Sequence, residues 1–168
     1  MLIYLMRHAQ TEHDPPKPTT RTIEELHLTA DGKSWTGRLV SLVEKELGFR
    51  PDRILSSPLA RAKETAEIAR ATLNLRPEVE YEESLRADGQ IKEVYAAVRK
   101  QGVESVALVS HIPIINRLFA DLLGADANIG LYTGAIACIR VKGNPGRGKG
   151  MLLWMVPPRM WFDGKEWA

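Results

Sequence analysis

The sequence has a single cysteine, Cys138, among 168 residues, so an internal disulfide bond is excluded. It also lacks any apolar run close to the roughly 18 residues that a membrane-spanning helix needs. The N-terminus shows no basic segment followed by a long apolar segment and a cleavage site, which argues against a secretory signal peptide. These absences predict a cytoplasmic protein that contacts no membrane. Cys138 lies in the apolar stretch GAIACIRV and is predicted to be a small core residue.

The chain also lacks a large excess of either charge, since 23 Lys/Arg are balanced by 21 Asp/Glu and the formal net charge is +2. This balance excludes a composition typical of nucleic-acid-binding proteins. The segment 140–168 is basic, but its aromatic residues favour packing against the domain over nucleic-acid binding. With 44% hydrophobic and 26% charged residues, the length predicts one domain over residues 1–168, in which residues 157–168 form a C-terminal tail.

Strand and helix patterns alternate along the chain. Apolar segments predict strands at LIYLM, DRILSSP and SVALVSH, and EVEYEESL predicts a further strand. Helices are predicted from the N-cap Thr29 to Gly48, from Ser57-Pro58 to about Asn74, around residues 91–98, and from Pro113 to Gly124. GAIACIRV and GMLLWMV, joined by KGNPGRGK, predict a hairpin. The alternation predicts a three-layer α/β fold, with a mostly parallel central sheet, helices on both faces and an antiparallel edge strand from the hairpin.

Charged and polar residues follow three of the predicted strands. The first strand ends in Arg7 and His8, the second ends in SSP with Arg61 one helical turn later, and SVALV ends in Ser110 and His111. Ligands of open α/β sheets bind outside the carboxyl ends of the strands, where these side chains would meet. Helix N-termini near Arg61 and His111 would add N–H groups and a partial positive charge. The arrangement predicts a pocket for a dianion, and phosphate is the obvious one.

Other residues are less informative. His13 and His27 lie in loop or entry segments and are predicted to be surface residues. A metal site from His8, His13, Asp14 and His111 is conceivable, but their spacing matches no compact ligand motif and the neighbouring arginines would repel a cation. We therefore expect no metal and no cofactor. NPGRGKG lacks the Lys-Ser/Thr pair of a phosphate-binding loop and is predicted to be a flexible hairpin tip.

Four segments together resemble a known family. LMRHAQT resembles the Arg-His signature of the histidine phosphatase superfamily, whose fold is phosphoglycerate-mutase-like, and LSSPLARAKETAEI is similar to its second-arginine segment. LVSHIPIINRL resembles the second-histidine segment, and LT-x-x-G at residues 28–32 also fits. Within the superfamily, the short length, VSHIPII, TGAIACIRV and WMVPP are most similar to the small SixA-type phosphohistidine phosphatases.

The resemblance implies a metal-independent phosphatase that uses His8 as a covalent nucleophile. Arg7, Arg61 and His111 would bind the phosphoryl oxygens, and Thr11 or Asp14 would contact the phosphate or orient a partner. The implied substrate is a phosphohistidine-containing protein.

One departure from the larger members concerns the proton donor. Those members have a glutamate shortly after a strand, where this chain has Ala87 in SLRADGQ. Asp88, Glu82 and Glu83 are near in sequence but have no predicted place in the pocket. The alternatives left open are a broad phosphomonoesterase or mutase acting on small metabolites, and a non-catalytic module that binds phosphoproteins.

Overall fold

A computed structural model describes residues 1–12 and 25–158 of the chain. The strands in this part are β1 (Leu2–Arg7), β2 (Arg53–Ser56), β3 (Glu80–Tyr81), β4 (Ser105–Ser110), β5 (Ile136–Val141) and β6 (Gly150–Val156). The helices are α1 (Ala30–Leu47), α2 (Ala60–Thr72), α3 (Ile91–Gln101) and α4 (Ile114–Leu123), and a short 3₁₀ helix spans Glu83–Leu85. None of the helices in these residues has the length and apolar character required to cross a lipid bilayer.

The six strands form one sheet in the order β3-β2-β4-β1-β5-β6. β3, β2, β4 and β1 are mutually parallel, whereas β5 is antiparallel to β1 and β6 is antiparallel to β5. This topology confirms the predicted mostly parallel sheet, and the β5–β6 hairpin supplies the predicted antiparallel edge.

Helices cover both faces of the sheet, which confirms the three-layer prediction. Side chains of β1 alternate between the faces, as the two-residue period of a strand requires. Leu5 packs in a core cluster with residues of α3 and α4, whereas Met6 packs in a second cluster with residues of α1 and α2. Cys138 is buried in this second cluster, as predicted.

The predicted signals at both ends of α1 are confirmed. Thr29 is the N-cap, and its hydroxyl accepts a hydrogen bond of 2.9 Å from the backbone N–H of Gly32. Gly48 follows the last turn with φ 69°, a left-handed conformation that favours glycine. Gly124, the glycine predicted to end the last helix, follows α4 with φ 67°.

Helix α2 begins later than predicted. Its N-cap is Leu59 instead of Ser57. The backbone at Ser57 still continues the pairing of β2 with β4, since the Ser57 N–H donates to the Val109 carbonyl at 2.9 Å. The helix also ends at Thr72, two residues before Asn74, whose φ of 49° is incompatible with a continuing α-helix.

The segment EVEYEESL forms less strand than predicted. Only Glu80 and Tyr81 pair with β2, and the chain then turns into the 3₁₀ helix at Glu83. The turn buries Leu85, which could not reach the core from the outer strand of the sheet. Residues 159–168 of the predicted C-terminal tail lie outside the described residues, so the single domain over 1–168 with that tail stays a prediction.

Candidate active site

The carboxyl ends of three neighbouring parallel strands bring the candidate residues together. β2, β4 and β1 are adjacent in the sheet, and Arg7 lies opposite Ser110 in the β1–β4 register. The backbone N–H of His8 donates to the Ser110 carbonyl at 3.0 Å, so His8 and His111 leave the sheet side by side. Their ring centroids are 5.2 Å apart. The structure thus places the two histidines at one edge of the sheet.

The His8 ring has a defined tautomer. Nδ1 lies 2.9 Å from the carbonyl oxygen of Ala9, and because a carbonyl only accepts, Nδ1 must hold the proton. The lone pair is therefore on Nε2. The pKa of His8 is lowered to about 4, mainly by burial and also by the positive charges of Arg61 and Arg7, against the opposing effect of the Ala9 hydrogen bond. His8 is consequently a neutral imidazole at physiological pH.

His111 is the more deeply buried of the two rings, with 1% of its surface exposed. Its pKa is lowered to about 2, mainly by burial and then by the charges of Arg61, Arg86 and Arg7 and by electrostatic interaction with His8. Nε2 is 2.7 Å from the Ser57 hydroxyl oxygen. Nδ1 is buried, and within residues 1–12 and 25–158 no atom forms a hydrogen bond with it.

Arg61 is buried in the first turn of α2, at the predicted site. Thr65 fixes this turn relative to His8, since its hydroxyl donates to the Arg61 carbonyl at 2.8 Å and accepts from the Ala9 N–H at 3.1 Å. The Thr65 hydroxyl therefore joins α2 to the residue that follows His8. The sequence analysis missed this contact, because a threonine inside a helix pattern gives no signal of a bond to a distant loop.

Arg7 is held at the end of β1 by the loop after α4. Its Nη1 donates to the Leu131 carbonyl at 3.1 Å, and the Leu131 N–H in turn donates to Oδ1 of Asn116 at 3.0 Å. The positive charges of Arg7 and Arg61 both lower the pKa of His8 and of His111.

Arg86 is a third arginine near the rings, and the sequence analysis did not identify it. It directly follows the 3₁₀ helix, and the carbonyl of the preceding Leu85 accepts a hydrogen bond from the Ser110 hydroxyl, next to His111. Arg86 contributes to the lowered pKa of His111 after burial, Arg61 and His8, and it lies 3.9 Å from a Glu83 carboxylate oxygen. Its place depends on the 3₁₀ turn, which strand and helix periodicities do not predict.

The other predicted contacts are less direct. Thr11 is buried and pairs through its backbone with Leu28. Asp14 and His13 lie outside the described residues, so the roles of Thr11 and Asp14 stay predictions. The exposed His27 contacts the carboxylate of Glu64.

The three candidate acids do not contact the histidines. Glu83 is exposed and pairs with Arg86, Asp88 is exposed, and the backbone N–H of Glu82 donates to the Ser56 carbonyl. In the described segments, neither a hydrogen bond nor an ion pair joins any of these carboxylates to His8 or His111. No group of three or more metal-ligating side chains occurs in the described segments either. The pocket is therefore positively charged, with two neutral histidines and no positioned carboxylic acid among these three.

Comparisons with known proteins agree with this geometry. The family model of the histidine phosphatase superfamily (branch 1) matches residues 3–88. The chain is 29% identical over 161 residues to the phosphohistidine phosphatase SixA of Escherichia coli (strain K12), which covers 94% of this chain and 94% of that protein. It is 33% identical over 157 residues to the phosphohistidine phosphatase SixA homolog of Haemophilus influenzae, covering 86% of this chain and 90% of that protein.

A solved structure supports the same similarity. The structure of the protein histidine phosphatase SixA complexed with tungstate has a TM-score of 0.80 and 28% sequence identity, and the match covers 95% of this chain and 99% of that chain. The similarity therefore extends to the segment with His111, which lies beyond the residues that the family model matches.

Proposed function

The chain belongs to the histidine phosphatase superfamily (branch 1), and we propose that it removes phosphoryl groups from phosphohistidine in a partner protein through a covalent intermediate on His8. The observation that supports this proposal is the tautomer of His8. Its Nδ1 proton is directed to the Ala9 carbonyl, so the Nε2 lone pair is available inside a positively charged pocket.

In the first step, the Nε2 lone pair of His8 attacks phosphorus and forms a P–N bond as the bond to the leaving group breaks. Negative charge on the equatorial oxygens must be stabilised in the transition state. Arg7 and Arg61 supply positive charge and hydrogen-bond donors for this purpose, and the neutral His111 ring supplies a further donor. The planar guanidinium suits the task because it binds two oxygens and does not lose its charge.

In the second step, water attacks the phosphoryl group on His8. A P–O bond forms, the P–N bond breaks, and its electron pair returns to Nε2. The water proton leaves with the inorganic phosphate or to solvent, so His8 is regenerated as a neutral ring. The same arginines stabilise both transition states, since both have the same charge distribution around phosphorus.

Leaving-group chemistry favours phosphohistidine over alkyl phosphates. An alkoxide is a poor leaving group and gains much from a positioned acid, whereas none of Glu82, Glu83 and Asp88 contacts either histidine. The imidazole of phosphohistidine, protonated on its other nitrogen near neutral pH, departs as a neutral group. The relatives named phosphohistidine phosphatase support the same substrate class.

We therefore expect kcat/KM to fall steeply as the pKa of the leaving group rises. The measurement is phosphate release from a phosphohistidine protein, aryl phosphates, phosphotyrosine and phosphoserine peptides, sugar phosphates and 3-phosphoglycerate. Because phosphohistidine hydrolyses spontaneously, the His8→Ala variant gives the background for every substrate. A flat profile, or alkyl phosphates that outpace phosphohistidine, would assign proton donation to Asp88, Glu82 or Glu83 and would favour the metabolite phosphatase or mutase. Substrate binding without phosphate release would favour the non-catalytic binding module.

Activity should survive exhaustive chelation, because Arg7 and Arg61 would supply the positive charge that a metal ion provides in other phosphatases. The measurement is aryl phosphate hydrolysis after dialysis against EDTA, with the metal content of the protein determined in parallel. Loss of activity that one divalent ion restores would instead support the metal site of His8, His13, Asp14 and His111.

A further inference from the structure

The bond between His111 and Ser57 joins two buried side chains. Ser57 is completely buried and His111 is 1% exposed, and the Ser57 hydroxyl oxygen lies 2.7 Å from His111 Nε2. A neutral imidazole has one N–H and one lone pair, so either Ser57 donates to Nε2 or Nε2 donates to Ser57. The two arrangements place the ring proton on different nitrogens.

The surroundings of Ser57 distinguish these arrangements. The backbone N–H of Leu59 points at the Ser57 oxygen at 3.4 Å, which uses the hydroxyl as an acceptor. The hydroxyl proton still needs an acceptor, and Nε2 is the one that the hydrogen bonds of the described residues provide. If Nε2 held the ring proton, the Ser57 proton would be buried without a partner, in addition to Nδ1 of His111. Buried polar groups are rarely left unsatisfied, so Ser57 donates and Nε2 accepts.

The ring proton of His111 is then on Nδ1, the buried atom that has no hydrogen-bond partner among the described residues. An unsatisfied buried N–H is costly in the free protein, and it is expected where a ligand supplies the missing acceptor. The His8 ring, whose Nε2 would attack phosphorus, has its centroid 5.2 Å away. A phosphoryl oxygen bound beside His8 would accept the hydrogen bond from this N–H.

We propose that Ser57 is a positioning residue that fixes the proton of His111 on Nδ1, so that this N–H donates to an equatorial oxygen of the phosphoryl group. The inference rests on the proposed function and assigns Ser57 a role within it. The low pKa of His111 makes the tautomer decisive, because a neutral ring cannot donate from both nitrogens. Without Ser57, the proton would distribute between the two nitrogens, and part of the protein would present a lone pair to a negatively charged oxygen.

Both buried rings then have a proton on Nδ1, but in opposite roles. In His8 the Ala9 carbonyl binds the proton, which leaves the Nε2 lone pair to attack phosphorus. In His111 the Ser57 hydroxyl binds the Nε2 lone pair, which leaves the N–H to stabilise charge. One neighbouring oxygen per ring is sufficient to assign these roles.

The experiment compares Ser57→Ala, Ser57→Thr and Ser56→Ala. Ser56 is an equally buried neighbour whose hydroxyl donates to the Ser57 carbonyl and does not contact His111. We expect Ser57→Ala to lower kcat for an aryl phosphate by about 10–10²-fold. This is less than the full effect of losing a preorganised transition-state donor, because His111 remains in the variant and only its tautomer changes. Ser57→Thr retains the hydroxyl and should recover most of kcat, and Ser56→Ala should change kcat by less than about twofold. Melting temperatures identify any variant that fails to fold.

A tautomer measurement on the wild-type protein is independent of these variants. Nitrogen-15 NMR of the histidine side chains should show His111 protonated on Nδ1, and tungstate, a tetrahedral oxyanion like phosphate, should shift that N–H resonance. Protonation on Nε2, an unshifted N–H on tungstate binding, or wild-type kcat in a folded Ser57→Ala protein would each overturn the role of Ser57. Absence of phosphate release from the wild-type protein would instead overturn the proposed function. The tautomer and the tungstate shift do not depend on turnover, so they would still test the role of Ser57.

Discussion

Replacing His8 with alanine should abolish turnover of every phosphorylated substrate, leaving only the uncatalysed rate. The variant removes the Nε2 lone pair on which the covalent intermediate depends, and no change elsewhere in the pocket replaces a lost nucleophile. Rapid acid-free quenching of the wild-type protein should trap one phosphoryl group on His8 that is stable in base and labile in acid. Mass spectrometry of the digested protein identifies the modified residue.

His27→Ala is the matched control for this variant. His27 is exposed and contacts Glu64, so its removal should leave kcat within about twofold of the wild type. The circular dichroism spectrum of His8→Ala should match that of the wild type, because His8 follows the end of β1 and its ring lies beside that of His111. Near wild-type rates in His8→Ala, or phosphate trapped on another residue, would refute the mechanism.

The hydrogen bonds of the two rings support the proposal that His8, and not His111, is the nucleophile. Both rings are buried, and the pKa values of both are lowered, so both are neutral and protonation does not distinguish them. The difference lies in which nitrogen is occupied. Nε2 of His111 bonds to the Ser57 hydroxyl, whereas the bond from His8 to the Ala9 carbonyl uses Nδ1 and leaves its Nε2 lone pair available.

The positions of Arg7, His8 and His111 could be predicted from the sequence because they depend on two robust rules. Apolar runs mark the parallel strands, and residues that follow parallel strands meet at one edge of the sheet. The adjacent strands β1 and β4 satisfy both rules, so His8 and His111 are neighbours in space although they are far apart in sequence.

Ser57 shows where local signals fail. Serine followed by proline is a common helix start, and the sequence analysis assigned Ser57 to that role. In the structure, its backbone continues the sheet register with Val109 and its hydroxyl binds His111, so a tertiary contact replaces the local cap. The sequence predicts that the ends of neighbouring strands meet, but it does not predict which side chains there form a hydrogen bond, such as that between Ser57 and His111.

The outer strand β6 is a second case. GMLLWMV is apolar throughout, yet Met151, Leu152, Leu153 and Met155 are exposed, and Met151 retains 54% of its accessible surface. The run is apolar like the buried strand SVALVS, and its exposure follows from its position at the edge of the sheet. Hydrophobicity along the chain indicates a strand, whereas the order of strands determines which ones are covered.

The second large effect is expected for Arg61→Ala, which should lower kcat by about 10²–10³-fold, the size typical of losing one preorganised transition-state contact. Arg61 is buried in the first turn of α2, and Thr65 fixes that turn to the residue after His8. The backbone of Arg61 is therefore fixed relative to His8 before substrate binds. Removing a positive charge favours protonation of its neighbours, so the pKa values of His8 and His111 should both rise in the variant.

Arg70→Ala is the matched control, because Arg70 lies on the same helix but is partly exposed and pairs with Glu67 at 2.9 Å. Its removal should leave kcat within about twofold of the wild type.

Arg61→Lys retains the charge but loses the planar two-oxygen contact, so its kcat should fall between those of Arg61→Ala and the wild type. Unchanged kcat in an Arg61→Ala protein with a native circular dichroism spectrum would remove Arg61 from the site. The pH dependence of kcat separates the two contributions of Arg61. A lost transition-state contact lowers kcat at every pH, whereas a raised pKa of His8 lowers kcat only in acid, where the ring becomes protonated. Histidine titrations by NMR measure that pKa directly.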